Sequence, residues 1–133
     1  MQASVLLILL GTMAVTGATR MPTAPPHEVK LIHHGDHYSF EPSTLTVRSG
    51  DLVKFTLVSG GPHNVAFDAD QIPGPAKQAL AAGMPNQMAP LASNLLKDGD
   101  SYTISFAGVP AGRYPYLCMP HSGAGMKGSI TVE

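Results

Sequence analysis

Residues 116–132 read YLCMPHSGAGMKGSITV, a strand pattern on either side of a loop that carries a thiol, an imidazole and a thioether. Cys118 stands at the end of the first strand, and His121 and Met126 lie in the loop before the second. A thiolate, an imidazole and a thioether brought together by one loop form a soft, mixed donor set. The stretch therefore predicts a metal site at the junction of two strands.

A second imidazole is offered by residues 60–65, GGPHNV, where His63 stands at the mouth of another strand. Two imidazoles and a thiolate in one plane, with a long axial thioether, form the blue-copper arrangement. His63, Cys118 and His121 are therefore the predicted planar ligands, and Met126 is the predicted axial ligand.

The chain has 133 residues and one cysteine, which limits the chemistry that the thiol can serve. A single cysteine excludes an internal disulfide and any centre that needs two thiolates from one chain, such as an iron–sulfur cluster. Cys118 is then a buried apolar residue, a nucleophile with His121 as its base, or one ligand in a mixed site. A nucleophile needs an orienting acid or amide and a substrate cleft. Pro120 and residues 123–125 supply neither, which favours the ligand.

Further motifs accompany these ligands, namely Phe40-x-Pro42 before a strand, the Gly50-Asp51 turn, PHNV at 62–65, Phe67-Asp68, and C-x-x-H-x-x-x-x-M-x-G at 118–128. They are similar to the motifs of the plastocyanin-like and pseudoazurin-like cupredoxins, over nearly all of residues 28–133. This resemblance implies a single-domain, all-β Greek-key sandwich of about eight strands that holds one type 1 copper ion.

The resemblance also assigns roles beside the ligands. It implies that Asn64 donates its backbone N–H to the Cys118 sulfur, and that the Asn64 side chain ties the two ligand loops together. Tyr114, four residues before the cysteine, resembles the tyrosine corner of Greek-key sandwiches and is assigned to structure.

Short segments of alternating apolar and polar residues recur between turn signals, a pattern typical of a sandwich or barrel. In residues 52–58, for example, Val53, Phe55 and Leu57 are expected to face inward. Residues 75–82 (PAKQALAA) begin with proline and precede Gly83, which predicts one short helix. The predicted strands cover residues 28–34, 44–47, 52–58 and 64–67, with further strand faces within 101–106, 114–118 and 130–132.

The N-terminal residues 3–18, ASVLLILLGTMAVTGA, are almost wholly apolar or small. This run is short for a transmembrane helix, which needs ~20 residues, and Thr16 and Ala18 provide a small-x-small cleavage site. No Lys or Arg precedes the run, so its retention as a membrane anchor is the alternative. We therefore predict a signal peptide at 1–18, a flexible lead-in at 19–27, and a periplasmic or otherwise extracytoplasmic domain at 28–133.

The charge of the chain restricts its partners. The net charge is −1 and the basic residues are scattered, whereas a nucleic-acid binder carries a clustered basic face. In relatives from plants and algae a tyrosine precedes the cysteine, beside an acidic run. This chain has Leu117 there, and only Asp68 and Asp70 at the acidic positions. Strong electrostatic steering of a basic partner is therefore not expected.

The predicted exit for the electron is the outer edge of the His121 ring. The resemblance implies that this edge is exposed within an apolar patch. A redox protein, such as a cytochrome or a membrane redox complex, is expected to dock on this patch. The protein itself is expected to be a monomer. The patch consists of small residues that permit close approach, namely Gly60, Gly61, Pro62, Gly123 and Ala124.

The predicted function is one-electron transfer by copper that cycles between Cu(II) and Cu(I), and not enzymatic catalysis. An oxidase or nitrite reductase would need further copper sites and a second domain. The alternative is a periplasmic protein for copper sequestration or delivery. Its best support is a His-rich N-terminal stretch that could bind a second metal ion and comprises His27, His33, His34 and His37. The other interpretation of this stretch is an edge strand whose histidines are exposed to solvent.

Overall fold

The computed structural model of the protein describes residues 24–133, which form two β-sheets packed as a sandwich. In chain order the strands are β1 (His27–His34), β2 (His37–Glu41), β3 (Thr44–Val47), β4 (Leu52–Leu57), β5 (Ala66–Phe67), β6 (Gln87–Ala89), β7 (Ala92–Ser93), β8 (Ser101–Ser105), β9 (Gly112–Leu117) and β10 (Lys127–Val132). The four-stranded sheet has the order β2-β1-β4-β8, and the six-stranded sheet has the order β3-β10-β9-β5-β7-β6.

Alternation along the strands creates the core between the two sheets. In β4 the side chains of Val53, Phe55 and Leu57 are buried while their neighbours are partly exposed, as the sequence predicts. In β8, Tyr102 and Ile104 are buried in the same way. Each large apolar side chain buried like this contributes about 1.5–3 kcal/mol. The apolar face of each strand therefore holds the sandwich together.

An aromatic cluster fixes the strand that leads to the predicted site. The ring of Tyr116 in β9 meets Phe40 edge to face, with centroids 4.8 Å apart, and meets Phe55 with centroids 5.5 Å apart. Such edge-to-face pairs add about 0.5–1.5 kcal/mol beyond the area that they bury. Because Tyr116 comes from β9 and both phenylalanines come from the opposite sheet, the cluster sets the position at which β9 ends.

The predicted tyrosine corner is confirmed. The hydroxyl of Tyr114 donates a hydrogen bond of 2.6 Å to the carbonyl of Pro110, four residues upstream. This contact closes the turn that leads into β9 and serves the fold.

The helix α1 spans Gly74–Ala82 and ends at Gly83, so the predicted helix is confirmed with one further residue at its start. A second departure is the number of strands. The described residues contain ten, whereas the sequence predicts about eight. The added strands include β2, which pairs with β1 through a turn at Gly35-Asp36, and the short strands β6 and β7.

The predicted strand at 64–67 is too long, since β5 covers only Ala66–Phe67. Its first half is instead a loop, in which the carbonyl of Val65 accepts a hydrogen bond from the N–H of Ser93. The residue before it, His63, forms an isolated bridge with Leu96. The predictions for residues 1–18 and for the first part of the lead-in, 19–23, lie outside the described residues. The strand β1 begins at His27, one residue inside the lead-in predicted at 19–27. Within residues 24–133, no helix is long and apolar enough to cross a membrane.

Candidate metal centre

The loop between β9 and β10 presents two of the predicted ligands. Cys118 follows β9 directly, and a 3-10 segment at Met119–Ala124 carries His121. The loop is closed on itself, because the N–H of Cys118 donates to the carbonyl of Met126 at 3.0 Å and the N–H of Met126 donates to the carbonyl of His121 at 3.3 Å. Gly125 takes a φ of 76°, the left-handed conformation that ends the segment.

The fold brings His63 to this loop. The His63 Nδ1 lies 3.6 Å from the Cys118 sulfur, the His121 Nδ1 lies 3.5 Å from the same sulfur, and the two Nδ1 atoms are 3.0 Å apart. Cys118 and His63 are fully buried, and His121 is half-buried. Among residues 24–133, this is the one cluster of three or more His, Cys, Asp or Glu side chains that could hold a metal ion.

The dimensions of the triangle are those expected of ligands around one metal ion. Two imidazole nitrogens bound ~2.0 Å from one ion at an angle near ~100° lie ~3.1 Å apart, close to the observed separation. A thiolate with two imidazoles is the donor set of a trigonal copper site. The residues present therefore fit copper.

The hydrogen bonding of His63 determines which nitrogen is free to bind. Its Nε2 lies 2.8 Å from the carbonyl oxygen of Ser59. A carbonyl oxygen only accepts, so Nε2 carries the proton and Nδ1 presents its lone pair to Cys118 and His121. Such a contact to the outer nitrogen orients a metal-binding histidine.

Two effects act in opposite directions on the pKa of the Cys118 thiol. Burial raises its pKa, while the backbone N–H groups of Asn64 and His121 act in the opposite direction. Metal binding requires the thiolate, and hydrogen bonds to sulfur stabilise that charged form. The two N–H groups therefore support the form of the sulfur that a metal ion would bind.

The side chain of Asn64 connects the two ligand loops. It is fully buried, and its Oδ1 accepts a hydrogen bond of 2.8 Å from the N–H of Met119, next to Cys118. Its Nδ2 donates to the carbonyl of Ser93 at 3.4 Å and to the sulfur of Met88 at 3.7 Å. The amide thus occupies a buried position between the loop of His63 and the loop of Cys118.

The ring of His121 is covered by a side chain that belongs to none of the sequence motifs. Tyr38 in β2 stacks on His121 with centroids 3.8 Å apart, and His33 stacks on the other side of Tyr38 at 4.3 Å. Burial lowers the pKa of His121, and nearby His63 and His33 add to the effect. The signal available in the sequence was the two-residue spacing of Tyr38 and Phe40, which places both on one face of a strand.

Met126 is fully buried, and its backbone closes the ligand loop as described above. Its role as axial ligand stays a prediction.

The five residues of the expected docking patch lie in the two loops that carry His63 and His121. Gly61, Pro62, Gly123 and Ala124 are exposed, while Gly60 is partly covered by His33.

The positions that distinguish this chain from plant and algal relatives have local roles. Asp68 accepts hydrogen bonds from the N–H of Asp70 and from the side chain of Gln71, so it caps the 3-10 segment at Ala69–Gln71. Leu117 ends β9 and is half-buried, opposite Lys127 of β10.

Comparison with known proteins gives an independent result. Residues 27–133 match the model of the copper binding proteins of the plastocyanin/azurin family. A plastocyanin of Scenedesmus fuscus is 40% identical over 105 residues, which cover 79% of this chain and 97% of that protein. A plastocyanin of Nostoc punctiforme is 36% identical over 132 residues, which cover 98% of this chain and 90% of that protein.

A solved structure has the same architecture. The oxidised form of plastocyanin from Dryopteris crassirhizoma superposes with a TM-score of 0.62 at 32% sequence identity, covering 80% of this chain and 99% of that chain. The sequence resemblance, the two-sheet fold and the His–Cys–His triangle therefore agree, and the chain belongs to the plastocyanin/azurin family of copper-binding proteins.

Proposed function

We propose that this protein carries single electrons between redox partners outside the cytoplasm, using one type 1 copper ion held by His63, Cys118, His121 and Met126. The observation that carries the proposal is the triangle formed by the Cys118 sulfur and the Nδ1 atoms of His63 and His121, with sides of 3.0 to 3.6 Å. Bound copper supplies the one-electron Cu(II)/Cu(I) couple.

The chain's own residues keep the ligand positions fixed. Ser59 orients the ring of His63, Tyr38 covers that of His121, and the side chain of Asn64 joins the two loops. A ligand set held by contacts of this kind changes little between two charge states. Electron exchange then requires little structural rearrangement.

His121 provides the exit for the electron. It is half-buried, and Pro62, Gly123 and Ala124 in the two ligand loops are exposed and small enough to let a partner approach. Leu117 offers no aromatic ring for a second route, and Asp68 is engaged in capping. We therefore assign docking to the apolar patch around His121, with a redox protein as the partner and the protein itself as a monomer.

The location follows from the apolar run at 3–18, which we assign to an export signal that is removed after transport. Mass spectrometry of the mature protein tests this directly. A new N-terminus after Ala18 supports export with cleavage, whereas an intact residue 1 would indicate retention of the segment.

The function is tested by adding Cu(II) to purified apo-protein and recording the visible spectrum. An intense blue absorption that disappears on reduction and returns on oxidation supports the carrier. A colourless or pale product would overturn it and favour copper sequestration or delivery. The variant Cys118→Ser should bind copper without the blue absorption, because that absorption requires the thiolate.

The axial ligand is tested with a matched pair of methionine variants. Met126→Leu should raise the reduction potential, because loss of a fourth donor and its replacement by an apolar side chain destabilise Cu(II), which prefers the higher coordination number, more than Cu(I). Met119→Leu, next to Cys118 but with an exposed side chain, should leave the potential unchanged. Equal shifts in the two variants would remove Met126 from the ligand set.

A further inference from the structure

Four histidines lie outside the copper centre, and two of them have partners. The Nε2 of His27 lies 3.0 Å from a carboxylate oxygen of Asp51, and the ring of His33 stacks on Tyr38. In the described part of the chain, the rings of His34 and His37 form neither a side-chain hydrogen bond nor a ring contact. Both side chains are exposed.

The backbone places these two remaining histidines together. His34 is the last residue of β1 and His37 the first of β2, and the two are direct partners in the antiparallel register. Side chains of directly opposed residues lie on the same face, with Cβ atoms ~4.5–5.5 Å apart. The Gly35-Asp36 turn, with a φ of 60° at Gly35, holds this register.

The pair lies on the other face of the hairpin from the copper centre. His33 and Tyr38, the next pair of the register, face His121, and alternation along each strand turns His34 and His37 away from it. The next pair on their own face is Ile32 and Ser39, which are uncharged, and Asp36 lies in the turn between the two histidines. The two imidazoles are therefore free to act together and apart from the first centre.

We propose that His34 and His37 form a second metal site, in which one nitrogen from each ring chelates a single divalent ion and water completes the coordination. Imidazole binds copper, zinc and nickel, and the general order of affinity among divalent ions favours Cu(II). Two protonated rings directly opposite each other repel, whereas an ion bound between two neutral rings stabilises the same arrangement.

The experiment is a titration of the oxidised, copper-loaded protein with Cu(II). Equilibrium dialysis measures the number of bound ions, and electron paramagnetic resonance separates the two environments. We expect one further copper per chain, with the wide hyperfine splitting of an ordinary Cu(II) site and nitrogen splitting from two imidazoles. The blue absorption of the first centre should not change. Binding of a single copper in total would overturn the proposal.

Variants locate the second ion. His34→Ala or His37→Ala should weaken its binding by at least about tenfold, equivalent to about 1.4 kcal/mol, and the double variant should abolish it. His27→Ala, on the same strand, is the matched control and should retain binding of the second ion. If His34→Ala folds poorly, His34→Gln replaces it in the same measurement. Persistence of the second signal in the double variant, or equal weakening in His27→Ala, would refute the assignment. Because the first centre is monitored by its blue absorption, failure of the second site is distinguishable from failure of the carrier function.

Discussion

The ring of Tyr38 lies parallel to the ring of His121, with centroids 3.8 Å apart and planes inclined by 13°. Tyr38 comes from the four-stranded sheet, whereas His121 comes from the loop that follows the six-stranded sheet. The stack therefore joins the two halves of the sandwich at the one proposed planar ligand that is not fully buried. It also covers the face of the His121 ring, which is consistent with the proposed route to a partner through the ring edge.

Replacing Tyr38 with leucine should raise the reduction potential. The electron-rich face of the phenol ring stabilises the more positive, oxidised centre by about 0.5–1 kcal/mol. For a one-electron couple, ~59 mV corresponds to a tenfold change in the equilibrium constant, so we expect a rise of about 20–40 mV. Voltammetry measures the shift. Tyr38→Phe keeps the stack and should remain within a few millivolts of the parent, and an equal rise in both variants would contradict this explanation.

Gly60→Ala should destabilise the protein more than a glycine substitution in open space with a similar backbone conformation. Gly60 has a φ of 76°, and a Cβ there would lie 2.1 Å from the Cβ of His33. The left-handed conformation alone costs about 1–2 kcal/mol for a residue with a Cβ. The clash adds to this, and we expect a total loss above ~2 kcal/mol.

Gly99→Ala is the matched control, since Gly99 has a φ of 91° but nothing within 4 Å of an added Cβ. Urea unfolding measures the free energy of unfolding of both variants. The difference between them separates the cost of the clash with His33 from the cost of the left-handed backbone conformation. If the two variants lose equal stability, the close approach of His33 to the loop of His63 has no energetic role.

Asn64→Ala should lower the stability by about 1–3 kcal/mol, because it leaves the part-buried N–H of Met119 without its acceptor. The amide of Asn94, in contrast, donates only to the carbonyl of its neighbour Leu95 at 3.3 Å and is exposed at that contact. Asn94→Ala should therefore cost far less. Chemical unfolding with copper bound tests both, and comparable losses would show that the bridge between the ligand loops is unimportant.

Asp51→Asn should reduce stability at neutral pH and leave it nearly unchanged in acid. The backbone N–H of Arg48 and the ring of His27 bind the carboxylate and hold the pKa of Asp51 below its usual range. A carboxyl with a lowered native pKa stabilises the fold above its unfolded pKa of about 3.9, and this contribution is lost as the pH falls through the native value.

We expect a loss of about 1 kcal/mol at pH 7. The difference between parent and variant should shrink progressively below about pH 4. Urea unfolding across this range measures it. Asp70→Asn removes the same charge from an exposed position on the 3-10 segment, and it should cost less than Asp51→Asn at pH 7. A difference for Asp51→Asn that persists unchanged into acid would exclude the ionised carboxylate as its source.

Much of the fold and of the candidate metal site could be predicted from the sequence, because these features depend on residues that are close together in the chain. The alternation in β4 places Val53, Phe55 and Leu57 inside. Pro75 and Gly83 bracket the helix to within one residue. Cys118 and His121 are close in the chain, so the loop that carries them presents both on its own. The short strands β6 and β7 escaped prediction because two or three residues cannot display a period.

Only the tertiary structure decided the contacts between residues that are distant in the chain. The carbonyl of Ser59 selects the nitrogen with which His63 faces the cysteine, and no spacing encodes a tautomer. Tyr38 covers His121 because the two sheets meet at that end of the sandwich. The sequence by itself thus determined which side chains could bind copper, through residue chemistry and local spacing. Their orientation arises from hydrogen bonds and packing that form only when the sheets are assembled.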